Sequence, residues 1–149
     1  MSRFFEVVKD EYRKNPNVDI KLPIRATEHS CGYDFYSPIN VTIQPNESVM
    51  IWTDIKANMY YDNVLTLFVR SSMGKHPVII ANGTGLIDAD YYSNKDNDGN
   101  IGFRLLNLGK TPYEIKVGDR IGQGVFLKYG TIKNDNAIGT RSGGFGSTN

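Results

Sequence analysis

The chain has 149 residues but only one cysteine, one tryptophan and two histidines. A single Cys excludes an internal disulfide framework. His29 and His76 have no ligand-type spacing around them, so the sequence carries no zinc motif. No apolar run is long enough to cross a bilayer. Glu6, Lys9, Asp10 and Glu11 interrupt the N-terminus where a signal peptide needs an apolar core, and the expected compartment is the cytosol (cytoplasmic). A formal net charge of +1 removes the global field that would draw the chain to nucleic acid or a membrane, so neither is expected as a partner. No G-x-S-x-G, catalytic Cys–His, phosphate-loop or nucleic-acid-binding motif occurs. What remains is a sequence with 40% hydrophobic and 22% charged residues, long enough for one domain with a real core. Its 15 glycines, above the roughly 7% of average usage, gather in turns and at the C-terminus.

Most of the chain alternates with a strand's period. Phe4 to Lys9 suits a strand, although Phe4, Val8 and Tyr12 also fit helical spacing. Asn15-Pro16-Asn17 is a break, and Ile20 to Pro23 is extended, because the residue before proline avoids the helical region. From Ser48 to Tyr60, Val49, Ile51, Ile55, Ala57 and Met59 share one face. Ser48, Asp54, Lys56 and Asn58 share the other, as in a half-buried strand or two strands with a bend. Trp52, on the more polar face, is expected at a subunit contact. Val64 to Val69 is apolar on both faces, as a central strand should be. Further strands are expected at 41–43, 78–81, 101–108, 113–117 and 120–127, with a short helix only after Arg70.

Five stretches carry chemistry-bearing residues. In Ala26 to Ser37, Asp34 lies between Tyr33 and Phe35, after Gly32; alone, it reads best as an Asp bracing a turn. Arg70-Ser71-Ser72-Met73-Gly74 follows the central strand. A serine N-cap beside an arginine makes an anion site, or equally an ordinary cap with a surface Arg. Asn82-Gly83-Thr84-Gly85-Leu86-Ile87-Asp88-Ala89-Asp90-Tyr91 turns and then extends. Alternation there puts Leu86, Asp88 and Asp90 on one face, and Ile87, Ala89 and Tyr91 on the other. Alone, this stretch reads best as a hairpin whose acids face water. Gln123 falls on the apolar face of the strand from Arg120 and needs hydrogen-bond partners. The tail sets Arg141 and Phe145 among glycines and hydroxyls, which reads as disorder or as a clamp over an anion and a planar ring.

Together and in this order, Gly32-Tyr33-Asp34-Phe35, Arg70 to Gly74, Asn82 to Tyr91, Gly118 to Gln123 and Arg141 to Thr148 resemble the five motifs of the trimeric dUTPases. The resemblance implies an all-β, distorted jelly-roll-like β-barrel over residues 1–138, with a Gly-rich arm over 139–149 that closes the site. It implies a homotrimer with active sites at subunit interfaces, and hydrolysis of dUTP to dUMP and pyrophosphate with Mg2+. Asp88 would activate the attacking water, and Gln123 would contact the phosphate chain. Arg70, Ser71, Ser72 and Gly74 would hold the phosphates. Asn82, Gly85 and Ile87 would present the uracil-reading hairpin, and Tyr91 would pack on the deoxyribose. Asp34 would hold hydrated Mg2+ through water. Phe145 would stack on uracil, while Arg141, Gly146, Ser147 and Thr148 would grip the outer phosphates.

The chain departs from the family's usual pattern in several places. Cys31 replaces Ala, and Ser93 replaces Gly. Gly122 and Gly124 replace larger residues, implying looser packing around Gln123. Arg141 lies closer to Phe145 than in many members. The Asn94 to Asn100 loop is enlarged. It lacks a calcium loop's terminal Glu and flanking helices, and it is the expected surface for a regulatory protein partner, separable from hydrolysis. The related dCTP deaminases use a Glu that the 101–108 strand does not carry.

Overall fold

The structure, a computed structural model, describes residues 2–146. Among these, the strands in chain order are β1 (Phe4–Val7), β2 (Ile24–Arg25), β3 (Tyr33–Tyr36), β4 (Val41–Ile43), β5 (Ser48–Trp52) and β6 (Ile55–Asn58). They continue with β7 (Asn63–Phe68), β8 (Val78–Ile80), β9 (Gly85–Asp88), β10 (Gly102–Asn107), β11 (Tyr113–Ile115) and β12 (Arg120–Lys128). Single 3-10 turns occupy Asp10–Tyr12, Ser71–Gly74 and Ala89–Tyr91. Among the described residues no helix is long and apolar enough to cross a membrane.

The strands pair antiparallel in four sheets, β1-β6, β5-β10-β8, β11-β4 and β2-β3-β12-β7-β9, none closed on itself. This is a distorted jelly roll. The period-2 pattern aims alternate side chains inward. Phe35, Ile51, Leu65, Phe103, Leu105 and Ile121 therefore meet in one core cluster. β7, apolar on both faces in sequence, lies between β12 and β9. The ambiguous N-terminal stretch is a strand: Phe4 pairs with Asn58 and Val7 with Ile55.

One expectation fails. On the polar face of residues 48–60 Ser48 is exposed and Asn58 half-buried, but Asp54 is 0% and Lys56 4% accessible. The strand breaks at Asp54, whose φ of 59° is a conformation Asp tolerates better than most residues. The carboxylate accepts the backbone N–H groups of Lys14 and Asn15, each at 2.8 Å, and Asn100 Nδ2 at 2.9 Å, with Arg13 Nε at 3.4 Å. Those donors make burial of the charge tolerable. Lys56 Nζ lies 2.9 Å from Asp98, 3.1 Å from Ser93 Oγ and 4.8 Å from the Tyr92 ring centroid.

Asp54→Ala strands these donors and strains the backbone. It is expected to cost about 3 kcal/mol in urea unfolding. Asp54→Asn, which keeps one acceptor oxygen and tolerates positive φ, is expected to cost less.

Candidate active site

β9 pairs with β7 from Gly85 opposite Leu67 to Asp88 opposite Val64. Gly85 is buried so closely that a Cβ would lie 2.9 Å from Leu67 Cβ. The hairpin leading into β9 opens a cleft of about 290 Å³ lined by Asn82, Thr84, Ile87, Asp88, Tyr91 and Phe145, with Arg141 at its edge. Strand alternation holds as far as Asp88. Ala89–Tyr91 then turns, so Asp90 is not placed by alternation.

Arg141 nevertheless gathers both acids. Its Nη2 is 2.5 Å from Asp88 Oδ2 and its Nε 2.7 Å from Asp90 Oδ1. The hydrogen bond to Asp90 raises the guanidinium's pKa further, with the charges of Asp90 and Asp88 adding to it. Both carboxylates stay about half exposed, at 53% and 55%.

Tyr91 is buried. Its hydroxyl donates to the Asn100 carbonyl at 2.6 Å and accepts from Asn97 Nδ2 at 2.7 Å. Burial pushes the phenol pKa up, against the lowering effects of Asn97 and Arg141. Phe145 meets Trp52 edge-on, with centroids 5.6 Å apart at 83°, and remains 66% exposed. Gly146 follows it, exposed, at φ 94°. Ser147 and Thr148 lie outside the described residues.

A second cleft, of about 410 Å³, includes Arg70, Ser72, Asp119 and Arg120. The serine-cap expectation does not hold. The Ser71–Gly74 turn is a single 3-10 turn with no side-chain cap hydrogen bond, too short to build an aligned dipole. Ser71, Ser72 and Gly74 are exposed on it. Arg70 instead pairs with buried Asp34, Nε to Oδ1 at 3.3 Å, while Arg120 Nη1 lies 3.5 Å from Oδ2. Arg70 Nη1 also reaches Ser72 Oγ at 3.4 Å.

A register shift between Arg120 and Gly122 precedes Gln123, whose amide donates to the Val69 carbonyl at 3.3 Å. Gly32 admits that amide: a Cβ there would come within 2.1 Å of Gln123 Oε1. The expected looseness around Gln123 is absent. Phe103 fills the space beside Gly122, and Leu65 and Phe35 fill that beside Gly124.

One chain does not bring the two clefts together. Asp88 stands opposite Val64, and Gln123 opposite Phe68. At about 3.3 Å per residue those positions are roughly 13 Å apart along β7, and Arg70 is roughly 20 Å from the Asp88 end. Sequence reasoning named neither Arg120 as Asp34's partner nor Trp52 as Phe145's. Arg120 stands in the fourth motif, so its charge was a usable signal. Trp52 lies in no motif, and nothing local points to it.

An all-β fold whose cleft opens a half-exposed carboxylate beside an arginine and an exposed ring offers a base, an anion partner and a stacking surface in one place. The sequence model of the dUTPase family matches residues 18–149. The deoxyuridine 5'-triphosphate nucleotidohydrolase of Lactococcus lactis subsp. lactis is 39% identical over 98% of this chain and 97% of that protein. The dUTPase of Streptococcus mutans, a solved structure, is 34% identical with a TM-score of 0.76, over 87% of this chain and 98% of that one. A likeness of fold extends to the dUTPase of Staphylococcus bacteriophage 80alpha, with 22% identity and a TM-score of 0.70 over 95% and 99% of the two chains. The chain belongs to the dUTPase family. It is a nucleoside triphosphate diphosphatase, a hydrolase acting on acid anhydrides.

Tyr91→Phe removes the hydroxyl that joins Asn97 to Asn100. It is expected to cost about 1–2 kcal/mol in thermal or urea unfolding, because the half-buried Asn97 amide and the buried Asn100 carbonyl lose their partner.

Proposed function

We propose that the protein hydrolyses dUTP to dUMP and pyrophosphate by attack of an Asp88-activated water on the α-phosphorus. The observation that carries this reading is the half-exposed Asp88 carboxylate at the mouth of the Asn82–Tyr91 cleft, within reach of Arg141 and on the same cleft as the Phe145 ring. Asn82 and the hairpin backbone, with Gly85 and Ile87, read the base edge. Tyr91, fixed by Asn97 and Asn100, offers a rigid face to the deoxyribose and leaves no room for a 2′-hydroxyl. Phe145 covers the base, while Gly146, Ser147 and Thr148 complete the grip of the arm over residues 139–149.

Arg141 pairs with both Asp88 and Asp90 and offsets one of their two charges. A triphosphate is a stronger anionic partner for a guanidinium. Transfer of Arg141 to the outer phosphates leaves Asp88 free to orient and deprotonate water. A positioned carboxylate base is typically worth about 10²–10⁴-fold.

The separation of the Asp34–Arg70–Arg120 cluster and Gln123 from Asp88 supports a homotrimer with interface sites. In that assembly Arg70, Ser71, Ser72, Gly74 and Gln123 of one copy hold the phosphate chain over Asp88 of another. Mg2+ would enter on the triphosphate. Asp34 fits a water-mediated hold: its two oxygens have about four lone-pair sites, and Arg70 and Arg120 take only part of that capacity. Once bound, the ion offsets phosphate charge and orients the chain of anhydrides.

A regulatory role remains a second reading. A solved 80alpha neighbour is described among phage dUTPases that control transfer of virulence genes. The dCTP deaminase alternative has no support in β10, which carries no Glu.

Pyrophosphate release from dUTP with Mg2+, beside dCTP, dTTP and UTP, tests the proposal. Turnover is expected with dUTP alone, falling about 10²–10⁴-fold in Asp88→Asn. A wild type inert toward dUTP, or an Asp88→Asn variant as fast as wild type, would overturn it.

A further inference from the structure

The sequence reads Asn94 to Asn100 as an enlarged polar loop that offers a surface to a regulatory partner. In the structure it is anchored on both sides. Asp98, 1% exposed, accepts from Lys56 Nζ and, at 2.8 Å, from the Lys9 backbone N–H. Asn100, 0% exposed, donates to Asp54 and accepts the Asp54 N–H at 2.9 Å. Asn94 braces the interior, taking the N–H groups of Asp96 and Asn97 on its side-chain oxygen at 3.0 and 3.1 Å. Charged and amide side chains buried and partnered in this way hold the loop in one shape.

That shape meets the C-terminal arm. The Asp96 N–H donates to the Ser142 carbonyl at 3.1 Å. Asp96 also packs directly on Gly143, where an added Cβ would lie 2.1 Å from Oδ2 and 3.1 Å from Asp96 Cβ. Residues 129–140 are exposed throughout, and Gly143 is the buried residue of the described arm. On either side of this contact stand Arg141, on Asp88 and Asp90, and Gly144, against the Tyr91 ring. Asn97, from the same loop, holds the Tyr91 hydroxyl.

We infer that the loop is a clasp for the arm. Asp96 sets where Gly143 lies, and thereby places Arg141 and Phe145 over the cleft, while Asn97 fixes the Tyr91 ring against which the arm packs. Asp96 and Asn97 are positioning residues: they act through the arm and Tyr91 rather than on substrate. This inference rests on the dUTP-hydrolysing reading for its kinetic consequence, but not for the contact itself.

Trp52 is the chain's one tryptophan and touches Phe145, so its fluorescence reports arm docking without substrate. Gly143→Ala sets a methyl 3.1 Å from Asp96 Cβ and displaces the exposed Asp96 carboxylate. In the substrate-free protein it is expected to red-shift Trp52 emission and to raise acrylamide quenching about twofold, as Phe145 leaves the indole. With dUTP the KM is expected to rise about tenfold and kcat to change much less, because the arm must find its place unaided. Asp96→Gly in the Gly143→Ala background removes the clash and is expected to return both readouts to within about twofold of wild type.

Unchanged Trp52 emission in Gly143→Ala, or failure of Asp96→Gly to rescue it, overturns the clasp. A changed emission with an unchanged KM overturns its role in positioning. If the wild type does not turn over dUTP, the proposed function falls, and the emission and quenching series still decides the contact.

Discussion

The Asp54 carboxylate is the constraint on which the rest of the structure depends. It is wholly buried, and the donors that make its burial tolerable come from distant parts of the chain: the backbone at Lys14 and Asn15, and the Asn100 side chain. Meeting its needs pins the N-terminal segment beside β5 and β6 and seats the end of the 93–100 loop in the interior. Asn100 passes the constraint on, since its carbonyl accepts the Tyr91 hydroxyl, and Asn97 reaches the same hydroxyl. A buried polar network is costly when incomplete and rigid when complete. Among the described residues no buried side-chain nitrogen or oxygen lacks a partner. The ring at the back of the cleft is thus held by an unbroken hydrogen-bonded path from the core.

The strands were legible because alternation is local. β7 announced itself as central by being apolar on both faces, and β12 by its regular pattern from Arg120. The cleft was legible only through the resemblance carried by the five motifs, since the Asn82–Tyr91 stretch, which folds into one wall of it, reads alone as a hairpin whose acids face water. The buried polar residues were not legible. Asp54 and Lys56 sit on the polar side of an alternating run, and Ser93 to Asn100 has the composition of solvent-exposed loops. Their burial follows from partners 39 to 46 positions away, such as Asn15 and Asn100 for Asp54 and Asp98 for Lys56. No periodicity encodes such pairings. The Ser71 cap was misread for a related reason: residue type permits a cap, but the turn is too short to need one.

The division of site residues between two clefts has an electrostatic logic. Around Asp34 stand Arg70 and Arg120, and Asp119 lines the same cleft, so two guanidinia there face two carboxylates. The Asp88–Asp90 pair stays net negative even with Arg141 in place, since one guanidinium faces two carboxylates. A polyanion finds guanidinium donors in the first cleft and a net negative charge in the second. In the proposed homotrimer, juxtaposing the clefts would place a substrate's phosphates against the guanidinia and its reacting end near a carboxylate. Binding charge and basic catalysis can then coexist without one quenching the other.

Arm docking in the free protein must remain weak for such a site to admit substrate. The pairs that Arg141 makes are with half-exposed carboxylates, where an ion pair contributes about 0–1 kcal/mol. The edge contact of Phe145 on Trp52 leaves most of the ring in water. By contrast, the approach of Asp96 to Gly143 adds little attraction but is close, since an added Cβ would lie 3.1 Å from Asp96 Cβ and would turn its carboxylate aside. Affinity and register are therefore supplied by different contacts. Reversible charge pairs let the arm open, and a close backbone fit against a rigid loop determines where it lands when it closes. An arm held by a large apolar contact would have blocked the cleft. One held by charge alone would close over it in many orientations, few of which set an aromatic ring and a guanidinium at the two ends of a nucleotide.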